Sequence, residues 1–286
     1  MKIFSLYTIS LVLFLSFMMG CEDVIEINVP DEEPRLVVEG SITTLPGPQT
    51  VKLTYSTQYF ETTTPPPVTD AQVILRDDQG REDQLVMIDS LPGVYYTHTP
   101  GEIGRAYTLD IILPDGRQYR SDSEVLSKVS DITALNYDIA DQDEEPQEDG
   151  RRRYTLLLSA IEPQDERNFY RWKVFINDKL VGDPEDLAFA RDDFVGEFVI
   201  DVEIYEGRMT PGDRVRVQQL SITESYYDFL AVLFEQTAFI GGLFDPPPAP
   251  IRGNIRNVDD PNDYGLGYFN ASDVDVAEIV IEREEE

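Results

Sequence analysis

The 286-residue chain holds one cysteine, one histidine and one tryptophan, and 23 lysines and arginines against 55 aspartates and glutamates. Each scarcity excludes something. The single thiol, Cys21, cannot close an internal disulfide, although exported proteins often carry cysteine pairs. The single histidine, His98, has no second imidazole with which to hold a transition metal, and Cys21 sits far away beside the N-terminal leader. A Ser-His-Asp triad would have His98 alone to build on, and that residue follows Tyr95-Tyr96 on an expected strand, at a sheet surface. No G-x-S-x-G elbow, H-E-x-x-H or P-loop sequence is present. The shortage of cations gives a formal net charge of −32, which repels nucleic acid and anionic lipid headgroups.

What the chain does have begins with its leader. Lys2 precedes an apolar run from Ile3 to Phe17, broken only by Ser5, Thr8, Ser10 and Ser16. That run has signal-peptide length and is short for a membrane span, which needs roughly 20 apolar residues. The flank after it is acidic, Glu22-Asp23, not the basic cluster of a retained helix. Gly20 stands just before Cys21. The arrangement resembles a bacterial lipobox, with Met18 where that pattern has leucine, and implies that the Cys21 thiol is acylated after removal of residues 1–20. Lipid chains anchor stably when two or more are attached, at about 0.8 kcal/mol per buried methylene. The remaining chain loses only the positive charge of Lys2. Its acidity serves solubility, with recruitment of divalent cations or complementarity to a basic partner as the alternatives. At 41% hydrophobic and 10% aromatic residues, it is apolar enough to fold, and its length fits two domains.

Residues 21–34, CEDVIEINVPDEEP, read as an acidic tether. Beyond it, alternation of period two marks strands. Leu36, Val38 and Ile42 form one stripe, as do Val51, Leu53 and Tyr55, then Ala71, Val73 and Leu75, then Tyr107, Leu109, Ile111 and Leu113. Turns are explicit at Pro46-Gly47, Asp78-Gln79-Gly80, Pro92-Gly93 and Pro114-Asp115-Gly116. About seven strands over this stretch predict a β-sandwich of immunoglobulin-like or transthyretin-like kind as a first domain, residues 35–128. Gly93-Val94-Tyr95 and Gly104-Arg105-Ala106-Tyr107-Thr108-Leu109-Asp110-Ile111 resemble paired motifs of the carboxypeptidase-regulatory-like sandwich.

A second β-rich domain is expected over residues 129–286. Ile132 to Ile139 reads as a strand, and residues 141–150, DQDEEPQEDG, as an exposed hairpin loop faced by Arg151 to Arg153. Tyr154, Leu156, Leu158 and Ala160 form a stripe; so do Tyr170, Trp172, Val174 and Ile176, and a longer one runs Phe194, Phe198, Ile200, Val202 and Ile204, opposite Glu197, Asp201 and Glu203. Val215 and Val217 fall out of phase with Leu220 and Ile222, which predicts a bulge near Gln218. One helix is expected at about 224–240, with Tyr226, Leu230, Leu233 and Phe234 on one face. Ser225 with Asp228, or Ser221 with Glu224, would cap it. Gly241-Gly242 and Pro246 to Pro248 would end it. Phe229, Val232 and Phe239 lie off the main stripe, so burial on two sides is expected. Tyr264 to Asn270 and Val274 to Ile281 read as closing strands.

Ligand chemistry is thin. Asp260-Pro261-Asn262-Asp263-Tyr264-Gly265 begins like a calcium loop, but Tyr264 and Ala271 occupy positions where carboxylates belong. A looser oxygen site there, or at Asp183-Pro184-Glu185-Asp186, competes with ordinary turn chemistry. No cofactor is expected. Tyr55, Tyr59 and Phe60, and separately Tyr226, Tyr227 and Phe244, are aromatic groups that could stack on sugar. With 55 acids, some carboxylate pair always lies at a catalytic separation, so the count alone says nothing about hydrolysis.

Pieces spread over nearly the whole chain together resemble a Bacteroidota lipoprotein family known as domain of unknown function 4249. They are Cys21 with Ile25-Glu26-Ile27-Asn28-Val29-Pro30, Leu36-Val37-Val38-Glu39-Gly40, Asn168-Phe169-Tyr170-Arg171-Trp172, Phe244-Asp245-Pro246-Pro247, Gly253-Asn254-Ile255 and Leu266-Gly267-Tyr268-Phe269. The resemblance implies no catalytic residues and a place beside TonB-dependent outer-membrane receptors. The resulting expectation is a non-enzymatic outer-membrane lipoprotein, held by lipid on Cys21 and partnered with such a receptor barrel. A surface glycan-binding adhesin is the alternative, and a carboxylate-based hydrolase the third reading.

Overall fold

The computed structural model describes residues 33–57, 63–141, 147, 150–161, 167–192, 198–237 and 251–282. Cys21, the leader, and Tyr59, Phe60, Phe194 and Phe244 lie outside the described residues, as does most of the acidic loop expected to face Arg151 to Arg153. From Pro34 onward, the described residues belong to one compact unit.

The alternating stripes form strands because each puts its apolar half on one face. Eight fall before residue 126: β1 (Leu36–Thr43), β2 (Gln49–Tyr55), β3 (Gln72–Asp77), β4 (Glu82–Met87), β5 (Val94–Thr97), β6 (Ala106–Ile112), β7 (Gln118–Ser121) and β8 (Glu124–Val125). Then come β9 (Asp131–Ile139), β10 (Arg152–Ile161), β11 (Phe169–Ile176), β12 (Lys179–Leu180), β13 (Ala188–Arg191), β14 (Phe198–Met209) and β15 (Arg214–Ser221). Helix α1 (Glu224–Thr237) and strands β16 (Ile255–Asn257), β17 (Leu266–Ser272) and β18 (Val274–Val280) complete the order. The chain is mainly β, with two sandwich-like layers of sheet in each half and a single α-helix among the described residues.

The first sheet runs β16-β7-β6-β3-β4-β5-β2-β1-β17, with β8 also on β6. Strand β4 pairs with β3 through Leu85 and with β5 through Val86 and Met87, so it passes from one layer to the other. Leu36, Val38, Leu53, Leu109, Ile111 and Phe269 fill the space between the layers. Each such fully buried side chain contributes roughly 1.5–3 kcal/mol. The turns named above carry positive φ at Gly47, Gly80, Gly93 and Gly116.

Two strands of this sheet come from the C-terminal part of the chain. β16 pairs with β7, and β17 lies parallel to β1, with Gly267 opposite Val38. Gly267 has φ +80°, and a Cβ there would stand 2.1 Å from the Val38 carbonyl oxygen, so only glycine lets the two backbones meet. Residues 255–257 and 266–272 thus belong spatially with residues 35–128. Asp273 fastens the same region: Thr44 Oγ1 donates to its Oδ1 (2.6 Å) and the Val129 N–H to its Oδ2 (3.0 Å).

The second half stacks a three-stranded sheet, β14-β10-β9, on a sheet ordered β12-β11-β15-β18, with β13 also on β11. Tyr154, Leu156, Leu158, Trp172, Val174, Ile204 and Val217 form its core. Along one side the layers are tied: the Ile132 N–H donates to Asp275 Oδ2 (2.7 Å), and the Glu282 N–H to the Tyr137 hydroxyl (2.8 Å).

The bulge expected near Gln218 is absent. β15 pairs with β11 and β18 in unbroken register. The phase change arises because Gln219, 1% exposed, occupies an inward position, where its Oε1 accepts the Trp172 indole N–H (2.9 Å) and its amide donates to Ser130 (2.8 Å to the carbonyl). Leu220 faces the other way, into a third cluster with Phe169, Ile222, Tyr226, Leu230 and Tyr268. The register shifts lie elsewhere: β10 slips against β14 between Leu156 and Leu157 and between Leu158 and Ala160, and against β9 between Ser159 and Ala160.

Helix α1 is also simpler than expected. It buries Tyr226 and Leu230; of the residues off the main stripe, Phe229 is half-buried against the same cluster, while Val232 is 42% exposed among the described residues. Its cap is Thr223, whose hydroxyl accepts the Tyr226 N–H (3.3 Å), rather than Ser221 or Ser225. Residues 238–240 of the expected helix lie outside the described residues.

Candidate functional site

Among the described residues, no strand pairing closes the other side of the second sandwich. A cleft of about 510 Å³ lies between β13 and β14, within the usual size of ligand sites, about 300–1,000 Å³. On one bank, Asp183-Pro184 starts a short 3-10 turn, Pro184–Asp186, that precedes β13. Proline suits the first position of such a turn because no N–H is needed there. The turn places Glu185 and Asp186 at the cleft, followed by Leu187 and the start of β13. On the opposite bank run the consecutive residues Val202, Glu203, Ile204, Tyr205 and Glu206. Trp172 reaches the cleft from the core, and Phe234 from α1.

Local backbone chemistry shapes β14. Asp201 has φ +51°, a left-handed conformation that aspartate tolerates better than most residues. Its N–H donates to Ser159 Oγ (3.1 Å), and the Ser159 hydroxyl donates to Asp201 Oδ1 (3.2 Å). This bulge leaves Ile200 72% exposed and turns Ile204 inward, to 4%, so the long stripe expected from the sequence breaks between them. At Gly207 a Cβ would fall 1.9 Å from the Tyr205 hydroxyl; glycine there lets the Tyr205 ring fold back along its strand.

The charge is one-sided. Glu206 is paired with Arg153 of β10. Among the described residues no cation pairs with Glu185, Asp186 or Glu203. Burial raises the Asp186 carboxyl above the ordinary aspartate range, and the neighbouring charges of Asp183 and Glu185 add to it. Burial also raises the Tyr205 phenol, with Asp186 and Asp183 adding to the effect. A cleft with unneutralised carboxylates and aromatic walls attracts cationic groups, through Coulomb attraction and through the ring faces.

Other residues singled out by the sequence are placed differently. His98 is exposed just beyond β5, its ring edge-on to Tyr96 at 5.2 Å. Asp263 accepts from the Tyr119 hydroxyl (2.8 Å) and the Asn257 amide (2.9 Å), and Asp260 accepts from the Asn262 N–H (2.9 Å); this is turn and core chemistry. No group of three or more His, Cys, Asp or Glu side chains among the described residues converges to hold a metal. Tyr226 stacks on Tyr268 at 4.5 Å and is 5% exposed, so it is no platform for sugar. Tyr55 packs against the first core. Of these acids, Glu185 and Asp186 share a cleft with two further acids, Glu203 and Glu206, among the described residues. Trp172, Tyr205 and Glu203 read in the sequence as strand stripes, and nothing in their spacing marks a shared cleft.

No helix among the described residues is long and apolar enough to cross a membrane. A family model described as "Domain of unknown function (DUF4249)" matches residues 22–278. No curated protein sequence matches the chain. Among solved structures, a two-domain fibronectin type-III segment from chicken tenascin is similar over 67% of this chain and 92% of its own, at 13% identity and a TM-score of 0.19.

Proposed function

Since the chain belongs to the family described as Domain of unknown function (DUF4249), we propose that it is a cell-envelope lipoprotein of the outer membrane, anchored through Cys21, that binds rather than catalyses and serves as accessory to a TonB-dependent receptor. The observation that carries the binding role is the acidic cleft, where Glu185, Asp186 and Glu203 have no cationic partner among the described residues. Charge left unneutralised beside aromatic walls costs stability in the free protein and is recovered when a cationic partner arrives. The leader and Cys21 support the anchor, and the acidic tether 21–34 would hold the folded part off the lipid surface.

The test is purification of the native chain from membranes in mild detergent. A large barrel protein should accompany it, and the Asp186→Asn/Glu203→Gln variant should recover less of that protein. Native chain that purifies from membranes without any barrel protein overturns the accessory role. Cys21→Ser should move the chain from the membrane fraction to the soluble one; its retention in membranes overturns the lipid anchor.

A further inference from the structure

Successive residues of a strand point to opposite faces. A cleft touched by one face of a strand therefore meets every second residue. This cleft meets Leu187, Ala188, Phe189 and Ala190 in succession on one bank, and all five residues from 202 to 206 on the other. It runs along two strand edges, not across a sheet face. Among the described residues, β13 pairs only with β11 and β14 only with β10.

The two edges are not equivalent. β13 pairs with β11 in regular register, Ala188 opposite Trp172 and Ala190 opposite Tyr170. β14 carries two bulges, which disrupt a regular ladder. Among the described residues β14 does not pair with β13, and the cleft lies between them. A regular edge offers a row of backbone donors and acceptors to an added strand. The bulged edge opposite supplies side chains instead, among them Glu203.

From this we infer that the cleft takes up an extended, arginine- or lysine-bearing segment of a partner protein, which adds as a strand to the edge of β13 while its cations meet Asp186 and Glu203. The inference rests on the binding role proposed above and specifies how that role is performed. Charge selects the occupant. A second copy of this chain, at a net charge of −32, is repelled by the same carboxylates, and an acidic segment is rejected likewise. A sugar would use the aromatic walls but leave the β13 edge without partners. Alternate side chains of an extended segment point the same way, so cations at every second position all lie on one side of the added strand.

The experiment uses the full chain in detergent and a capped nine-residue peptide of arginine alternating with threonine. Trp172 is the single tryptophan and borders the cleft, so its emission reports occupancy without a label. Binding should saturate, weaken with salt, and fall at least about tenfold, or 1.4 kcal/mol, in Asp186→Asn/Glu203→Gln. A twin peptide with glutamate for arginine should not bind. Amide exchange at Ala188, Phe189 and Ala190 should slow in the complex. Of two twins N-methylated at alternate residues, one should lose binding and the other keep it. Both methylated twins binding like the parent, with exchange at β13 unchanged, overturns strand addition and leaves a cation-binding cleft. Failure of the basic peptide to bind, while a barrel protein still accompanies the native chain, overturns the inference and leaves the accessory role standing.

Discussion

The Tyr268 hydroxyl donates to Glu124 Oε1 at 2.8 Å across 144 residues of sequence. Glu124 is 1% exposed. Its other partners are the Asn254 amide (3.1 Å) and the Thr223 hydroxyl (2.8 Å), so a single carboxylate joins β8, β17, the segment before β16 and the cap of α1.

Removing that carboxylate strands three donors in a buried site. Glu124→Ala is expected to cost roughly 2–4 kcal/mol in urea unfolding, and Tyr268→Phe less, about 1–2 kcal/mol. The double variant should cost less than the two together, because both act on one network. Burial raises the Glu124 carboxyl pKa, against the lowering effect of its three donors. Between the unfolded value, about 4.3, and the raised folded value, the native state binds the proton more readily than the unfolded state. The contribution of Glu124 is therefore greatest below the unfolded pKa and is lost as pH rises through the folded one. Relative to Glu124→Gln, which does not titrate, the wild type should gain stability on acidification; a difference that stays constant or moves the other way refutes the assignment.

Gly267→Ala meets both a positive φ and the Val38 carbonyl. The expected cost is roughly 2–4 kcal/mol. Gly116 shares the positive φ, at +93°, but has nothing within 4 Å of an added Cβ, so Gly116→Ala should cost only about 1–2 kcal/mol. Thermal unfolding of the pair separates backbone conformation from close approach. Equal losses would mean that the β1–β17 contact is not tight.

Gln219→Leu keeps the volume at its site close to constant but removes the acceptor of the Trp172 indole and a donor to Ser130. A loss of about 1–3 kcal/mol is expected from the unsatisfied groups. The emission of Trp172 should shift with it, since its indole N–H loses its partner. Unchanged emission at full folding would place the indole bond elsewhere.

Asp186→Asn removes a carboxylate that burial and its neighbours already disfavour. The site is partly exposed, so the gain in stability near neutral pH should be small, up to about 0.5 kcal/mol. It should shrink as pH falls through the raised folded pKa of Asp186 and vanish below the unfolded value, about 3.9, where the carboxyl is neutral in both states. A variant less stable than the wild type at neutral pH would mean that a cation neutralises Asp186.

Much of the fold was legible because short-range physics decides it. Leu36, Val38, Val51, Leu53, Leu109 and Ile111 alternate and are all buried; the glycines of the four named turns all have positive φ. The helix was visible from its 3.6-residue stripe, but its cap was not, because Ser221, Thr223 and Ser225 are equivalent in sequence. Thr223 takes the role while its hydroxyl also reaches Glu124. The break in phase at Gln219 looked like a bulge because a buried glutamine and an exposed one read alike until Trp172 and Ser130 are seen around it. The true irregularity on β14 depended on the Ser159–Asp201 contact, 42 residues apart.

Composition and local pattern by themselves determined the acidic surface, the mainly β architecture, the positions of most strands and turns, and the absence of familiar catalytic motifs. Those properties follow from charge, from alternation of period two and from turn conformations, each set within a few residues. Only tertiary structure decided that β16 and β17 return to the first sheet, that Glu124 joins four segments, and that Asp186, Glu203 and Trp172 line one cleft. Each of these depends on residues tens to hundreds of positions apart.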